Sequence, residues 1–439
     1  MSRKKVVVIG AGAGGLMAAG RAAECGAEVL LLEKMNRPGR KLLLTGNSRC
    51  NLTNSRDLDD FIPMYGPSGR FLYPAFRRFF REDLVSLLKK HGVAAQQEND
   101  GRVFPASGKA ADVLHALEQF ARSGGAAIRT NTAVSSIDVK DGSVTGVCTA
   151  GCAFSADAVV LAAGGASYPQ TGSNGDGVKV AAALGHRISK LRPALVPLVI
   201  NDNPSVRQLQ GLTLRNVRVT SYACTTRDIP AVKQVSVDAG RGIPGRKARL
   251  PLIESRRGDI VFTHFGISGP PVLLMSLPVA CALEEGPVSL AIDLLPDKDP
   301  EQAGHELQAL ITSHGKQQVH NILSTLVPAR LAGLLLAQIG MEAGEKCNQV
   351  ATFQRKELTR ILKSFALEIS GVRPLAEAMV TAGGISLDEI DARTLQSRLV
   401  KGLYFCGEVM DIDADTGGFN LQAAFSTGWL AGESAAASF

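Results

Sequence analysis

The sequence predicts an α/β fold. A domain with a parallel sheet is assembled from both ends of the chain and split by an insertion, which is a β-barrel followed by a helical module. Three observations carry this reading. The β-branched run Lys5–Ile9 passes straight into a glycine-rich turn and an alanine-rich helix. Two further short apolar runs, at 158–161 and 402–406, each end in glycine far down the chain. From Leu195 onward, strand-like segments give way to helical periodicity before strand and glycine return at 376–385. At 439 residues the chain is long for one hydrophobic core, so two or three domains are expected.

The first element is the most informative. Residues 5–9 read as a strand buried on both faces. Gly10, Gly12 and Gly15 then fit G-x-G-x-x-G, with Ala13 and Gly14 between them. Residues 16–25 read as a helix stopped by Gly26, and 27–32 as a second strand ending at Glu33. Each residue type has a task. Gly10 permits the turn, Gly12 lets backbone approach a pyrophosphate, and Gly15 lets helix and strand pack closely. The helix N-terminus faces the phosphates. A carboxylate at Glu33 accepts hydrogen bonds from ribose hydroxyls and disfavours a 2′-phosphate. A second match, Gly240 to Gly245, carries Pro244 where a helix would continue and reads as a basic loop, so no second dinucleotide fingerprint is expected.

The insertion reads as strands at 196–200, 217–224 and 288–294, consistent with a small barrel or antiparallel sheet. Leu307, Leu310 and Ile311, then Leu331, Leu334 and Leu335, have helical spacing. The expected boundaries are 1–190 with 375–439 for the split domain, 191–299 for the β-rich insertion and 300–374 for the helical one. A loop at 238–257 carries six Arg and Lys residues. It is either a solvated excursion or a surface for a polyanion.

Composition narrows the classes. The formal net charge is +7 and the pI about 9.0, which suits either a well-solvated surface or a partner such as RNA. No apolar run reaches membrane-span length, and the N-terminal run is too short for a signal peptide, so a cytoplasmic protein is expected. Eight cysteines are scattered without a Cys-x-x-Cys pair, and the nearest two are Cys148 and Cys152. No metal site is expected from them, and they argue against a flavin disulfide reductase, which needs a paired redox-active dithiol.

The C-terminal segment decides the cofactor. Gly407 and Glu408 close the run at 402–406. Asp411, Asp413 and Asp415 follow, then Gly417, Gly418, Asn420, Leu421 and Gln422, then a small-residue helix at 423–437. This resembles the C-terminal FAD motif of the glutathione-reductase-like superfamily. The resemblance implies a Rossmann-like domain holding FAD non-covalently, with Glu408 on the ribityl chain and the backbone at Asn420 to Gln422 facing the flavin pyrimidine oxygen. It also implies that Ala163, Gly164 and Gly165 return beside the cofactor. By the same topology Lys34, Arg40, Lys41, Thr45, Gly46 and Asn47 border the isoalloxazine and pyrophosphate.

Three longer stretches are more specific: 39–54 (GRKLLLTGNSRCNLTN), 164–177 (GGASYPQTGSNGDG) and 262–270 (FTHFGISGP). They resemble the YhiN or BaiN/RdsA family of NAD(P)/FAD-dependent oxidoreductases over essentially the whole chain. Ser48 departs from the glycine expected there. The resemblance implies an enzyme, with NADH or NADPH as the electron donor. It implies reduction of a uridine C5=C6 bond to dihydrouridine in large-subunit ribosomal RNA or its precursor. A small-molecule substrate, an enone or an amine, is the alternative, and a flavin-binding scaffold without turnover is a third reading. Base reduction requires a hydride, a proton donor and stabilisation of a developing enolate. Cys50 and His264 are the candidate proton donors, and Tyr168 a candidate stacking residue.

Overall fold

A computed structural model describes residues 3–201, 204–229 and 252–437. The chain divides into two compact units, 1–194 with 375–439, and 195–374. In chain order the elements that matter are β1 (Lys5–Ile9), α1 (Ala13–Glu24), β2 (Glu28–Leu32), α2 (Ala110–Ser123), β3 (Ala127–Arg129), β4 (Ala158–Leu161) and α3 (Asp176–Ala183). The second unit holds β5 (Leu198–Ile200), β6 (Thr213–Tyr222), β7 (Leu252–Phe262), β8 (Gly266–Ser268), α4 (Pro270–Leu283), β9 (Val288–Asp293), α5 (Pro300–Ser313), α6 (Ala329–Gln338), α7 (Thr352–Lys363) and β10 (Phe365–Val372). β11 (Leu403–Phe405) and α8 (Phe419–Ala436) complete the first unit.

The first unit is built on a five-stranded sheet in the order β11-β4-β1-β2-β3, with every neighbouring pair parallel. Its central strands are apolar on both faces because α1 and α8, packed on each other, contact the sheet, and the antiparallel strand Ser143–Thr149 packs on β4 as well. Val6, Val7 and Val8 are buried, as are Val159 and Val160 opposite Leu403 and Tyr404. α1 packs against α2 at Gly20, where a Cβ would fall 2.3 Å from the Phe120 ring. The stretch 56–125 carries no motif. This stretch forms helices at Leu58–Phe61, Tyr73–Arg78 and Arg81–Lys90 before α2. They bury an aromatic cluster in which Phe61 meets Phe76, Phe80 and Phe419 edge-on.

The second unit is a closed six-stranded barrel in the order β5-β8-β7-β6-β9-β10. Alternation sets its interior: Leu214, Val217 and Val219 of β6 are buried with Leu290 and Ile292 of β9. Helices α5, α6 and α7 share one core with the barrel, including Leu307, Ile311, Leu331, Leu335, Leu358 and Ile361. The expected division at 299/300 is therefore absent, and β10, inside the stretch read as helical, pairs with β5 and β9. The expected loop at 238–257 is also corrected in part. Arg256 and Arg257 lie in β7, opposite Val219 and Arg218, while 238–251 lies outside the described residues.

Candidate functional site

Two helix N-termini meet in the first unit. α1 starts directly after β1, with Gly12 as an extended N-cap and no capping side chain among the described residues. Gly10 takes φ +98 and its N–H donates to the Leu32 carbonyl at 2.8 Å, which turns the chain beneath α1. A Cβ on Gly15 would lie 1.8 Å from the Gly10 carbonyl oxygen, so glycine there sets how closely helix and strand pack. A Cβ on Gly12 would meet nothing within 4 Å, which leaves open space above the backbone. α8 begins at Phe419 after the left-handed Gly418 (φ +95), four residues earlier than the sequence reading placed it.

These ends border a cavity of about 260 Å³. Of the residues assigned to it from sequence, Gly10, Gly12, Ala13, Gly14, Glu33, Lys34, Arg40, Lys41, Thr45, Ala163, Gly164, Gly407, Glu408, Asn420 and Leu421 line it. Gly15, Gly46, Asn47, Gly165, Gly418 and Gln422 do not. Gly15 and Gly165 are spacers pressed against Gly10 and Thr381. Gly418 lies against the Thr53 carbonyl, while Gly46 and Asn47 form an exposed turn. Gln422 is fully buried and donates to Ser426. The wall also includes residues the sequence reading missed: Arg37, Thr132 to Val134, Thr171 to Ser173, Asp176 and Met379. Most come from turns, while Val134 begins a strand and Asp176 opens α3, and Thr171 to Asp176 lie inside one of the family-like stretches.

The polar groups are arranged in two centres. Glu33 accepts from the Ala11 and Met35 N–H groups, both at 2.8 Å, which fixes its carboxylate at the end of β2. Next to it Lys34 bonds Asp176 at 2.7 Å and Asn174 at 2.6 Å, and this hydrogen bond holds the Asp176 carboxyl below its usual range. At the second centre Glu408 accepts from Lys41 Nζ at 2.6 Å and from the Thr381 N–H at 2.7 Å. Lys41 also donates to Ser167 at 2.7 Å. The Ser173 hydroxyl, 6% exposed, lines the cavity and has no partner among the described residues.

The candidate proton donors fare differently. Cys50 is 0% exposed, sits in the hydrophobic core and is absent from the cavity wall. Burial pushes its thiol up to about 12. This corrects its assignment, because a buried thiol held neutral so far above neutral pH has no acidity to offer a substrate. Tyr168 is half-buried in a left-handed conformation and is also absent from the wall. His264 belongs to the second unit. It is exposed at the tip of the β7–β8 turn, closed by a Thr263 N–H to Gly266 carbonyl hydrogen bond of 2.8 Å. Among the described residues no His, Cys, Asp and Glu group could hold a metal.

FAD fits the donor set. Two uncapped helix N-termini suit its phosphates and its electron-rich ring edge, and Gly12 leaves room for close approach. The Glu33 carboxylate suits a ribose, and Ser173 supplies an unused hydroxyl. Fold and site thus define a FAD-dependent oxidoreductase of the Rossmann class. The chain belongs to the family of the HI0933-like protein Rossmann domain, whose profile matches residues 4–434. It is 30% identical over 429 residues to the ribosomal RNA dihydrouridine synthase of Escherichia coli (strain K12), covering 98% of this chain and 97% of that one. It is 29% identical over 435 residues to the 3-dehydro-bile acid delta(4,6)-reductase of Clostridium scindens, covering 98% and 99%. Among solved structures, 3-ketosteroid-delta4-(5alpha)-dehydrogenase from Rhodococcus jostii RHA1 superposes with a TM-score of 0.49 at 15% identity, over 99% of this chain and 97% of that one.

Proposed function

We propose that the chain reduces a carbon–carbon double bond conjugated to a carbonyl, and that its substrate is a uracil base of large-subunit ribosomal RNA, converted to dihydrouridine. The observation that carries this is the chemistry shared by the two relatives. A uracil 5,6 bond and an unsaturated 3-keto steroid are both electron-poor alkenes polarised by a carbonyl. What tips the reading to RNA is charge, since the chain has 48 Lys and Arg against 41 Asp and Glu. A target base must be unpaired or flipped out to be reached. NADH or NADPH is the proposed reductant, and the cytoplasm the proposed compartment.

Once reduced, bound FAD would supply the hydride. The chain supplies position and electrostatics. Glu33 and Glu408 would hold the two sugar-like parts of the cofactor. The Gly12–Gly14 backbone would take the phosphates, and the Asn420–Leu421 backbone the ring edge. Lys41, ion-paired with Glu408 and bonded to Ser167, would hold the Glu408 carboxylate in place for the cofactor.

The test is deletion of the gene in its own host, followed by mass spectrometry of large-subunit ribosomal RNA. Loss of a dihydrouridine, restored by the wild-type chain, is the expected result. An unchanged profile overturns the RNA substrate and leaves small conjugated enones as the acceptors to assay.

A further inference from the structure

The segment 346–363 contains five Lys and Arg residues and one acid. Lys363 turns inward to Asp293 at 2.7 Å, but the others stay near solvent. α7 buries Leu358, Ile361 and Leu362 and turns Phe353, Lys356 and Arg360 outward, at i, i+3 and i+7 of one face. Phe353 is 67% exposed, the highest value among the exposed large apolar residues. Just before the helix, Lys346, Asn348 and Gln349 are exposed as well. Hydrogen bonds from Cys347 to Gln317 (2.9 Å) and from Asn348 to Gly315 (3.0 Å) lay this turn beside exposed Lys316. Among the described residues no ion pair engages Lys316, Lys346 or Lys356. Of the nearby acids, Glu357 is held by Arg360 at 2.7 Å, and Glu345 bonds the Glu342 N–H at 3.0 Å.

We propose that this face of α7 docks a single strand of RNA, with a base stacked on Phe353 and phosphates on Lys346 and Lys356. The inference rests on the RNA reading above and assigns it a surface. A single strand needs an exposed aromatic ring, cations spaced along a backbone, and amide groups beside the ring for base edges. Asn348 and Gln349, exposed in the turn that precedes the helix, add amide groups, the Gln349 oxygen accepting from the Lys346 N–H at 3.1 Å. An acidic peptide would also satisfy the ammonium groups, and competition by polyglutamate separates the two.

The experiment measures binding of a fluorescein-labelled oligouridylate to the FAD-loaded enzyme by anisotropy, over a series of salt concentrations. Wild type is compared with F353A and with the K346A/K356A double variant. All three substitutions are on the surface, and FAD content serves as the control for folding. F353A is expected to weaken binding at least about five-fold, the low end of one base–ring stack. The double variant should lower the slope of log affinity against log salt by about 1.4, or about 0.7 per cation removed on a single strand. Wild-type binding that neither variant alters overturns this surface and leaves the ribosomal RNA reading untouched. No wild-type binding overturns the surface too, and the deletion experiment then decides the substrate separately. Equal competition by polyglutamate, with F353A unaffected, assigns the face to general polyanion attraction and also overturns the proposal.

Discussion

Gly12 and Gly15 lie three residues apart, and alanine at each should fail in a different way. At Gly15 the new Cβ would stand 1.8 Å from the Gly10 carbonyl oxygen and 3.2 Å from the Ala162 Cβ. The near contact is backbone, so α1 must retreat from β1 by about 1 Å or more, carrying the fully buried Leu16 and Met17 with it. Overpacking of this kind costs about 1–3 kcal/mol, and the backbone clash places it at the upper end. At about 2–4 °C per kcal/mol for a unit of this size, the apoprotein should melt about 6–12 °C lower. At Gly12 the added methyl meets nothing within 4 Å, and the residue has φ −80, which alanine adopts freely. Apoprotein stability should change by about 0.5 kcal/mol at most, through the weaker N-cap. The methyl instead fills the space through which a pyrophosphate approaches the helix, so FAD affinity should fall at least about tenfold, or about 1.4 kcal/mol. Thermal melts of apoprotein and FAD titration by flavin fluorescence separate the two effects. If G12A melts as low as G15A, or binds FAD like wild type, the division of labour between these glycines is wrong.

Two further predictions follow from buried and paired charge. Burial pushes the Cys50 and Cys406 thiols up to about 12 from an ordinary value of about 9. Between those limits the unfolded chain has released protons that the folded chain retains, so stability falls as pH rises, by about 1.4 kcal/mol per pH unit for each thiol. Urea melts across that range should show the decline, and C50A should roughly halve its slope while leaving turnover intact; a flat alkaline profile contradicts the burial argument. Hydrogen bonds from Arg78 (2.5 Å) and Arg21 (2.6 Å) hold the Glu433 carboxyl at about 2, below its ordinary 4.5. Its contribution is present above the unfolded value and lost as pH falls through the folded one. The group is partly exposed, so E433Q should cost about 1 kcal/mol at neutral pH and nothing below about pH 2. An equal cost at both pH values would mean that packing, not charge, is what the substitution removes.

What could be read from the sequence was what is written locally. β1, α1, β2 and Glu33 follow one another with a change of period at each step, and Gly10, Gly12 and Gly15 each have a local geometric reason. The start of α8 was misplaced because Phe419 to Gln422 read as loop after Gly417 and Gly418, whose left-handed backbone is in fact the entry to the helix. Thr132 to Val134 and Met379 reach the cavity from segments distant in sequence from the β1–α1–β2 motif, the Thr132 N–H bonding the Glu33 carbonyl at 2.8 Å, and no periodicity marks them. Cys50 shows the converse. Its residue type and its neighbours suggested chemistry, but burial is a property of the packed chain. The helices between 58 and 90 contribute aromatic core rather than motif, and so left little local signature.

The small residues of α8 explain why the end of the chain returns to its beginning. A Cβ on Gly428 would lie 2.3 Å from the Gly14 carbonyl oxygen, and one on Gly432 equally close to the Ala18 carbonyl oxygen. These two glycines, one helical turn apart, let the backbone of α8 rest directly on that of α1. Glycine inside a helix is intrinsically unfavourable by about 1 kcal/mol relative to alanine, so two of them in α8 need a compensating reason. Close approach supplies it. Only with the helices in backbone contact do the starts of both, at Gly12–Gly14 and at Asn420–Leu421, open onto the same cavity. Each start carries partial positive charge from its free N–H groups, and one anionic, electron-rich cofactor spanning the cavity would engage both. The glycine pattern of β1–α1 and the glycine spacing within α8 are therefore parts of one device, written some 400 residues apart.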